Sequence, residues 1–191
     1  MPLDKAHERI AIVLVGPMAA GKSAVGRALA ALLQGEYVDT DEVFVQENGP
    51  ISDFFEARGE EAFRALEAEV VARAVAGDIA VSHPEAPRIV SLGGGSLGSE
   101  RSREAIASSH VVYLEADLAT VLPRIARDTG RPMLTGDAAE RWLALFDQRR
   151  PLYEAVADLT VDVRHGSPED FALQIARALE TPGTPAKEGT E

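Results

Sequence analysis

Gly16-Pro17-Met18-Ala19-Ala20-Gly21-Lys22-Ser23 brings two glycines, a lysine and a hydroxyl together at the spacing G-x-x-x-x-G-K-S. These groups suit a polyphosphate. Glycines at both ends let the backbone curl so that N–H groups face an anion, and the helix that follows adds the positive end of its dipole. Lys22 can reach β- and γ-phosphate oxygens, and the Ser23 hydroxyl can sit on Mg²⁺. The apolar run Ile10–Val15 ahead of the loop reads as a buried strand, and Ala24–Leu33 behind it as an amphipathic helix. That order separates a phosphate site from an ordinary turn. A nucleoside triphosphate is therefore expected here, held by Gly16, Met18, Ala19, Ala20, Gly21, Lys22, Ser23 and Ala24.

Further chemistry follows in chain order. Asp39 and Asp41 sit one residue apart at the end of a short predicted strand, where ligand groups gather in α/β sheets. On an extended segment that spacing points both carboxylates the same way, one toward a Mg²⁺ shell and one toward a substrate hydroxyl. Either could instead cap the helix that follows. Arg64 and Glu67 lie three apart on a predicted helix, so Glu67 can hold the guanidinium in one pose, or the two can form a solvated surface pair. Gly93-Gly94-Gly95 after a buried strand lets a ligand lie against the main chain, as would any flexible turn. The stretch 124–136, with Arg124, Arg127 and Arg131 among two glycines and few apolar anchors, is expected to be a mobile cover over an anionic site.

The elements that must position these residues alternate between strand and helix. They predict an α/β doubly wound sheet of about five parallel strands, with helices on both faces. Within that pattern Ser52 is expected to cap a short helix that Gly59 ends. Ser99–Ser108 is expected to be helical, and Pro123 to kink or end a helix that starts at Asp117. Asp137 is expected to cap a helix from Ala138 to Arg150, with Trp142, Leu145 and Phe146 on its core face. Residues 1–180 are expected to form one domain and 181–191 a disordered tail.

Composition narrows the classes. A net charge of −12 argues against nucleic-acid binding but leaves room for a small anion met by a local arginine cluster. No apolar run approaches the roughly 20 residues of a membrane span. The absence of cysteine removes disulfides and thiolate metal sites, and a cytoplasmic monomer is expected.

Taken together the motifs resemble the shikimate kinase family. The matching pieces are the phosphate loop with Gly26, Asp39-Thr40-Asp41, Gly59-Glu60-x-x-Phe63-Arg64-x-x-Glu67, Ser91-Leu92-Gly93-Gly94-Gly95, Arg131-Pro132-x-Leu134 and Arg149-x-Pro151-Leu152-Tyr153. They run in family order from about Ile10 to Leu179. The resemblance implies a fold like that of nucleoside monophosphate kinases, and transfer of the γ-phosphoryl group of ATP to shikimate, giving 3-phosphoshikimate. It implies that Lys22 and Ser23 handle phosphates and Mg²⁺, with Asp39 on the metal through water. Asp41 would bind the shikimate hydroxyls and be placed to accept a proton. Arg64, oriented by Glu67, and Arg149 would clamp the carboxylate beside Gly93, Gly94 and Gly95. Arg131 would touch the phosphates and Arg124 the adenine.

Two departures stand out. Met18-Ala19-Ala20 lacks a glycine that the family often has, and Ala24 replaces a frequent threonine. The nearest alternatives are a kinase of the same fold for another polyol acid such as gluconate, and a non-catalytic regulator. Asp41, Arg64 and the triple glycine together favour shikimate over gluconate. A regulator is expected to lose Lys22, Asp41 or a clamp arginine, and all are present.

Overall fold

Ile12–Val15 is apolar at every position because both of its faces are covered: Ile12 and Leu14 enter one core, and Val13 and Val15 the other. In the computed structural model, which describes residues 11–79, 83, 86–128 and 136–180, this strand (β1) is the centre of the sheet. The remaining strands are β2 (Glu36–Asp39), β3 (Arg88–Ser91), β4 (His110–Glu115) and β5 (Leu159–Asp162). Their order is β2-β3-β1-β4-β5, with every pair parallel. All carboxyl ends therefore share one edge.

The helices are α1 (Lys22–Leu33), α2 (Thr40–Asn48), α3 (Ile51–Ala76), α4 (Glu100–Ala105), α5 (Leu118–Asp128), α6 (Gly136–Val156) and α7 (Pro168–Glu180). Val25 and Leu29 of α1 and Phe171 and Ile175 of α7 bury one face of the sheet. Val71 and Ala74 of α3, Ile106 and Tyr153 bury the other. A smaller core of Phe44, Phe63 and Val70 joins α2 to α3, with the Phe44 and Phe63 rings 4.9 Å apart. Among the described residues no helix is long and apolar enough to cross a membrane.

Several local expectations are corrected. Pro50, not Ser52, precedes the first turn of α3, and the Ser52 hydroxyl turns to Asp53. Gly59, at φ 80° and ψ 172°, does break the helical geometry as expected, and the two helical segments of α3 meet there at a kink. The helix after Ser99 is shorter than expected, with Ser99 as its cap. Asp117 caps α5 as expected, accepting the Thr120 N–H at 2.8 Å, but the helix runs through Pro123. Asp137 lies inside α6, which starts at Gly136 and continues through Pro151. Trp142 is buried and Phe146 half-buried, whereas Leu145 is exposed at the cleft.

Candidate active site

Three residues with positive φ shape the loop between β1 and α1: Gly16 (144°), Ala19 (63°) and Gly21 (99°). A Cβ on Gly16 would also lie 2.7 Å from the Leu114 carbonyl oxygen. Ala19 takes a left-handed conformation that a glycine would take freely, at a cost of about 1–2 kcal/mol.

Lys22 folds back over the loop, and its Nζ donates to the Gly16 and Pro17 carbonyls, each at 2.9 Å. Desolvation there lowers its pKa from 10.5 to about 8, against the opposing pull of Asp41 and Asp39. Two other side chains hold loop carbonyls from outside. The Arg124 guanidinium reaches Ala20 O (2.9 Å), Ala19 O (3.2 Å) and, across the loop after β5, Val163 O (3.3 Å). The Trp142 indole donates to Met18 O at 3.3 Å.

Asp39 takes the capping role that the sequence left open, and its second oxygen faces the phosphate loop. Its Oδ1 caps α2 by accepting the N–H groups of Asp41 (3.0 Å) and Glu42 (3.4 Å). Its Oδ2 accepts the hydroxyls of Ser23 (2.8 Å) and Tyr37 (2.9 Å). The extended geometry expected for the aspartate pair is not found, because Asp39 ends β2 and Asp41 already lies in the first turn of α2.

Asp41 meets the glycine triplet. A Cβ on Gly93 would lie 2.6 Å from Asp41 Oδ1 and 3.0 Å from both Glu67 Oε1 and Ser96 Oγ. Only a residue without a side chain lets these groups converge. Burial first, then the charges of Asp39 and Glu67, push the Asp41 carboxyl up to about 6, while Lys22 and Arg64 oppose the shift.

Arg64 and Glu67 are not a solvated surface pair. Glu67 is 4 % exposed, and its Oε2 accepts from Arg64 Nη1 at 2.7 Å while Oε1 accepts from Ser96 Oγ at 2.8 Å. The guanidinium lies over Gly95, where a Cβ would stand 2.7 and 2.8 Å from its terminal nitrogens. From α6, Arg149 Nη1 and the Tyr153 hydroxyl both donate to the Gly94 carbonyl, the arginine at 3.4 Å. The Cβ position of Gly94 is 3.3 Å from the Met18 nitrogen, so triplet and phosphate loop touch.

One cleft of about 860 Å³ runs along this edge, lined by the loop, Asp39, Asp41, Gly94, Gly95, Arg124 and Arg149. Arg64, Glu67 and Gly93 stand behind its wall through the contacts above. Arg131, with residues 129–135, lies outside the described residues; 124–128 and 136 are helical.

Sequence reasoning missed Thr40, Tyr37, Ser96, Tyr153 and Trp142 as parts of this site. The Thr40 hydroxyl donates to Ser91 O and accepts the Gly93 N–H, both at 3.2 Å, joining the ends of β2 and β3. Its position between two aspartates was the available signal, and for Tyr153 it was membership of the Arg149 motif.

A sequence model of the shikimate kinase family matches residues 18–180. A shikimate kinase of Thermobifida fusca is 44% identical over 172 residues, covering 90% of this chain and 95% of that one. One of Rhodococcus jostii is 43% identical, covering 87% and 96%. A solved shikimate kinase of Acinetobacter baumannii, in complex with shikimate, superposes with a TM-score of 0.77 at 33% identity over 92% of this chain and 96% of that one. With a phosphate loop, a paired aspartate edge and a glycine triplet in one cleft, and relatives matched over nearly their whole length, the chain belongs to the shikimate kinase family.

Proposed function

We propose how the residues of this chain divide the work of its reaction, the transfer of the γ-phosphoryl group of ATP to the 3-hydroxyl of shikimate to give 3-phosphoshikimate and ADP. The observation that carries the assignment is the convergence of Asp41, Arg64 and Glu67 on a glycine triplet that itself touches the phosphate loop. An acceptor held at the triplet has its hydroxyl beside the terminal phosphate.

Lys22 exchanges the loop carbonyls for β- and γ-phosphate oxygens and offsets the charge that builds on the transferred group. Arg64, fixed by Glu67, and Arg149 take the acceptor carboxylate, a planar anion that suits guanidinium forks. Asp41 binds the acceptor hydroxyls. As the shikimate oxygen forms its bond to phosphorus and the bond to the β–γ bridging oxygen breaks, the hydroxyl proton passes to Asp41, whose pushed-up pKa makes it a better acceptor than an ordinary aspartate. Arg131 is assigned to the phosphates, and Arg124 to the adenine, on the family resemblance alone.

The residues fit Mg²⁺ carried in with the nucleotide. Among the described residues no three His, Cys, Asp or Glu side chains form a cage. Ser23 and Asp39 offer hard oxygens 2.8 Å apart on the cleft, the donor type that Mg²⁺ takes. Ser23 would hold the ion directly and Asp39 through water; when bound, it would neutralise charge on the β- and γ-phosphates.

A coupled ADP-release assay with shikimate, with gluconate and with no acceptor tests the assignment. ADP release is expected with shikimate alone. Equal or faster release with gluconate would overturn the acceptor.

A further inference from the structure

We propose that Ser96 is a positioning residue for the acceptor: its buried hydroxyl fixes Glu67, and through Glu67 the guanidinium of Arg64. The proposal rests on the reading that Arg64 binds the acceptor carboxylate.

Ser96 is fully buried and opens the short 3-10 turn Ser96–Gly98, where its own N–H donates to Gly93 O at 3.1 Å. The hydroxyl is thus anchored to the glycine triplet, and it aims at a carboxylate carried by α3. Glu67 has one donor on each oxygen: Ser96 on Oε1 and Arg64 on Oε2. The charges around Glu67 make that balance fragile. On its own helix it faces Arg64. From α2 it faces Asp41, whose Oδ1 and Glu67 Oε1 both crowd the Cβ position of Gly93, and Asp39 and Lys22 stand behind Asp41. The Ser96 hydroxyl is what holds Oε1 against the like charge of Asp41.

Without that hydroxyl, Glu67 turns away from Asp41 and loosens its grip on Arg64. A second carboxylate is waiting. Exposed Glu60, one turn earlier on α3, already lies 3.6 Å from Arg64 Nε. The guanidinium then leans outward, away from Gly95 and from the acceptor. Ser96 thereby decides which of two glutamates on one helix holds the arginine.

The test measures shikimate and ADP binding separately by calorimetry for wild type, Ser96→Ala, Arg64→Ala, Glu67→Ala and the Ser96→Ala/Glu67→Ala double variant. Loss of a hydrogen bond to a buried carboxylate is expected to weaken shikimate binding about three- to tenfold. ADP binding should stay within about twofold, and kcat at saturating shikimate should hold, a split that a general loss of structure would not produce. In the Glu67→Ala background, Ser96→Ala should add almost nothing, because its effect passes through Glu67. If Ser96→Ala does not fold, Ser96→Cys, which fills the same space with a weaker donor, carries the same comparison.

Unchanged shikimate binding in Ser96→Ala, beside clear weakening in Arg64→Ala, overturns the inference alone. Unchanged binding in Arg64→Ala overturns the clamp reading and the inference with it. Equal weakening of both ligands by Ser96→Ala, or full additivity with Glu67→Ala, makes Ser96 a packing residue and overturns the proposal.

Discussion

At Asp41 the folded protein holds a proton more tightly than the unfolded chain does, with a pKa of about 6 against the ordinary 3.8. Stability therefore falls as pH rises between those values, and the full cost of the buried charge is present at neutral pH. Asp41→Asn removes that charge. Its melting temperature at pH 7.5 should exceed wild type by about 2–4 °C, the gap closing as the pH approaches 4. The same variant should lose nearly all turnover, and wild-type kcat should climb through pH 6 as the carboxylate forms. A kcat flat from pH 5 to pH 7 would remove Asp41 as proton acceptor. Lys22 was legible in the sequence by its fixed spacing from the loop glycines, and Asp41 by its place beside Asp39 at the end of a strand. Ser96 and Thr40 were not: each acts through one hydroxyl, and its partners Glu67 and Ser91 lie 29 and 51 residues away.

Among the elements, α5 and α6 show where local rules gave way to packing. An interior proline costs a helix about 3 kcal/mol, which is why Pro123 and Pro151 read as breaks. Both helices are held from outside. Tyr153, two residues past Pro151, stacks on Tyr113 at 5.4 Å and donates to Gly94 O. Arg124, next to Pro123, is fastened to the phosphate loop. Those tertiary anchors lie beyond the reach of any sequence window, whereas the parallel α/β class was readable from the alternation of strands and helices and the loop from its glycine spacing; the strand order came only with the structure. The α6 anchor at Trp142 also predicts a selective effect. Phenylalanine there keeps the stack on Phe146 but deletes the indole donor to Met18 O. Trp142→Phe should weaken nucleotide binding about three- to tenfold and leave shikimate binding unchanged. Calorimetry with each ligand alone checks this; a loss confined to shikimate would show that α6 serves the acceptor only.

For the whole molecule, the charge balance and the site oppose each other. The chain carries 31 acidic against 19 basic side chains, yet Lys22, Arg124 and Arg149 line the cleft and Arg64 lies against Gly95 at its wall. A distant nucleotide meets the net negative field first, and the local cations act only at short range. The association rate of ATP, measured by stopped flow, should therefore rise between about 10 mM and 150 mM salt, as the Debye length shrinks from about 30 to 8 Å. A steady fall would mean that the cleft governs approach from the start.

The two carbonyls that hold Lys22 give the phosphate loop a tenant of its own. On the role proposed for Lys22, arriving phosphates would evict those carbonyls. The ammonium would trade two neutral dipoles for anionic oxygens, with much of its desolvation already settled by the fold. ATP would then inherit a charge already stripped of water, and ADP, on leaving, would hand it back to the loop rather than to solvent.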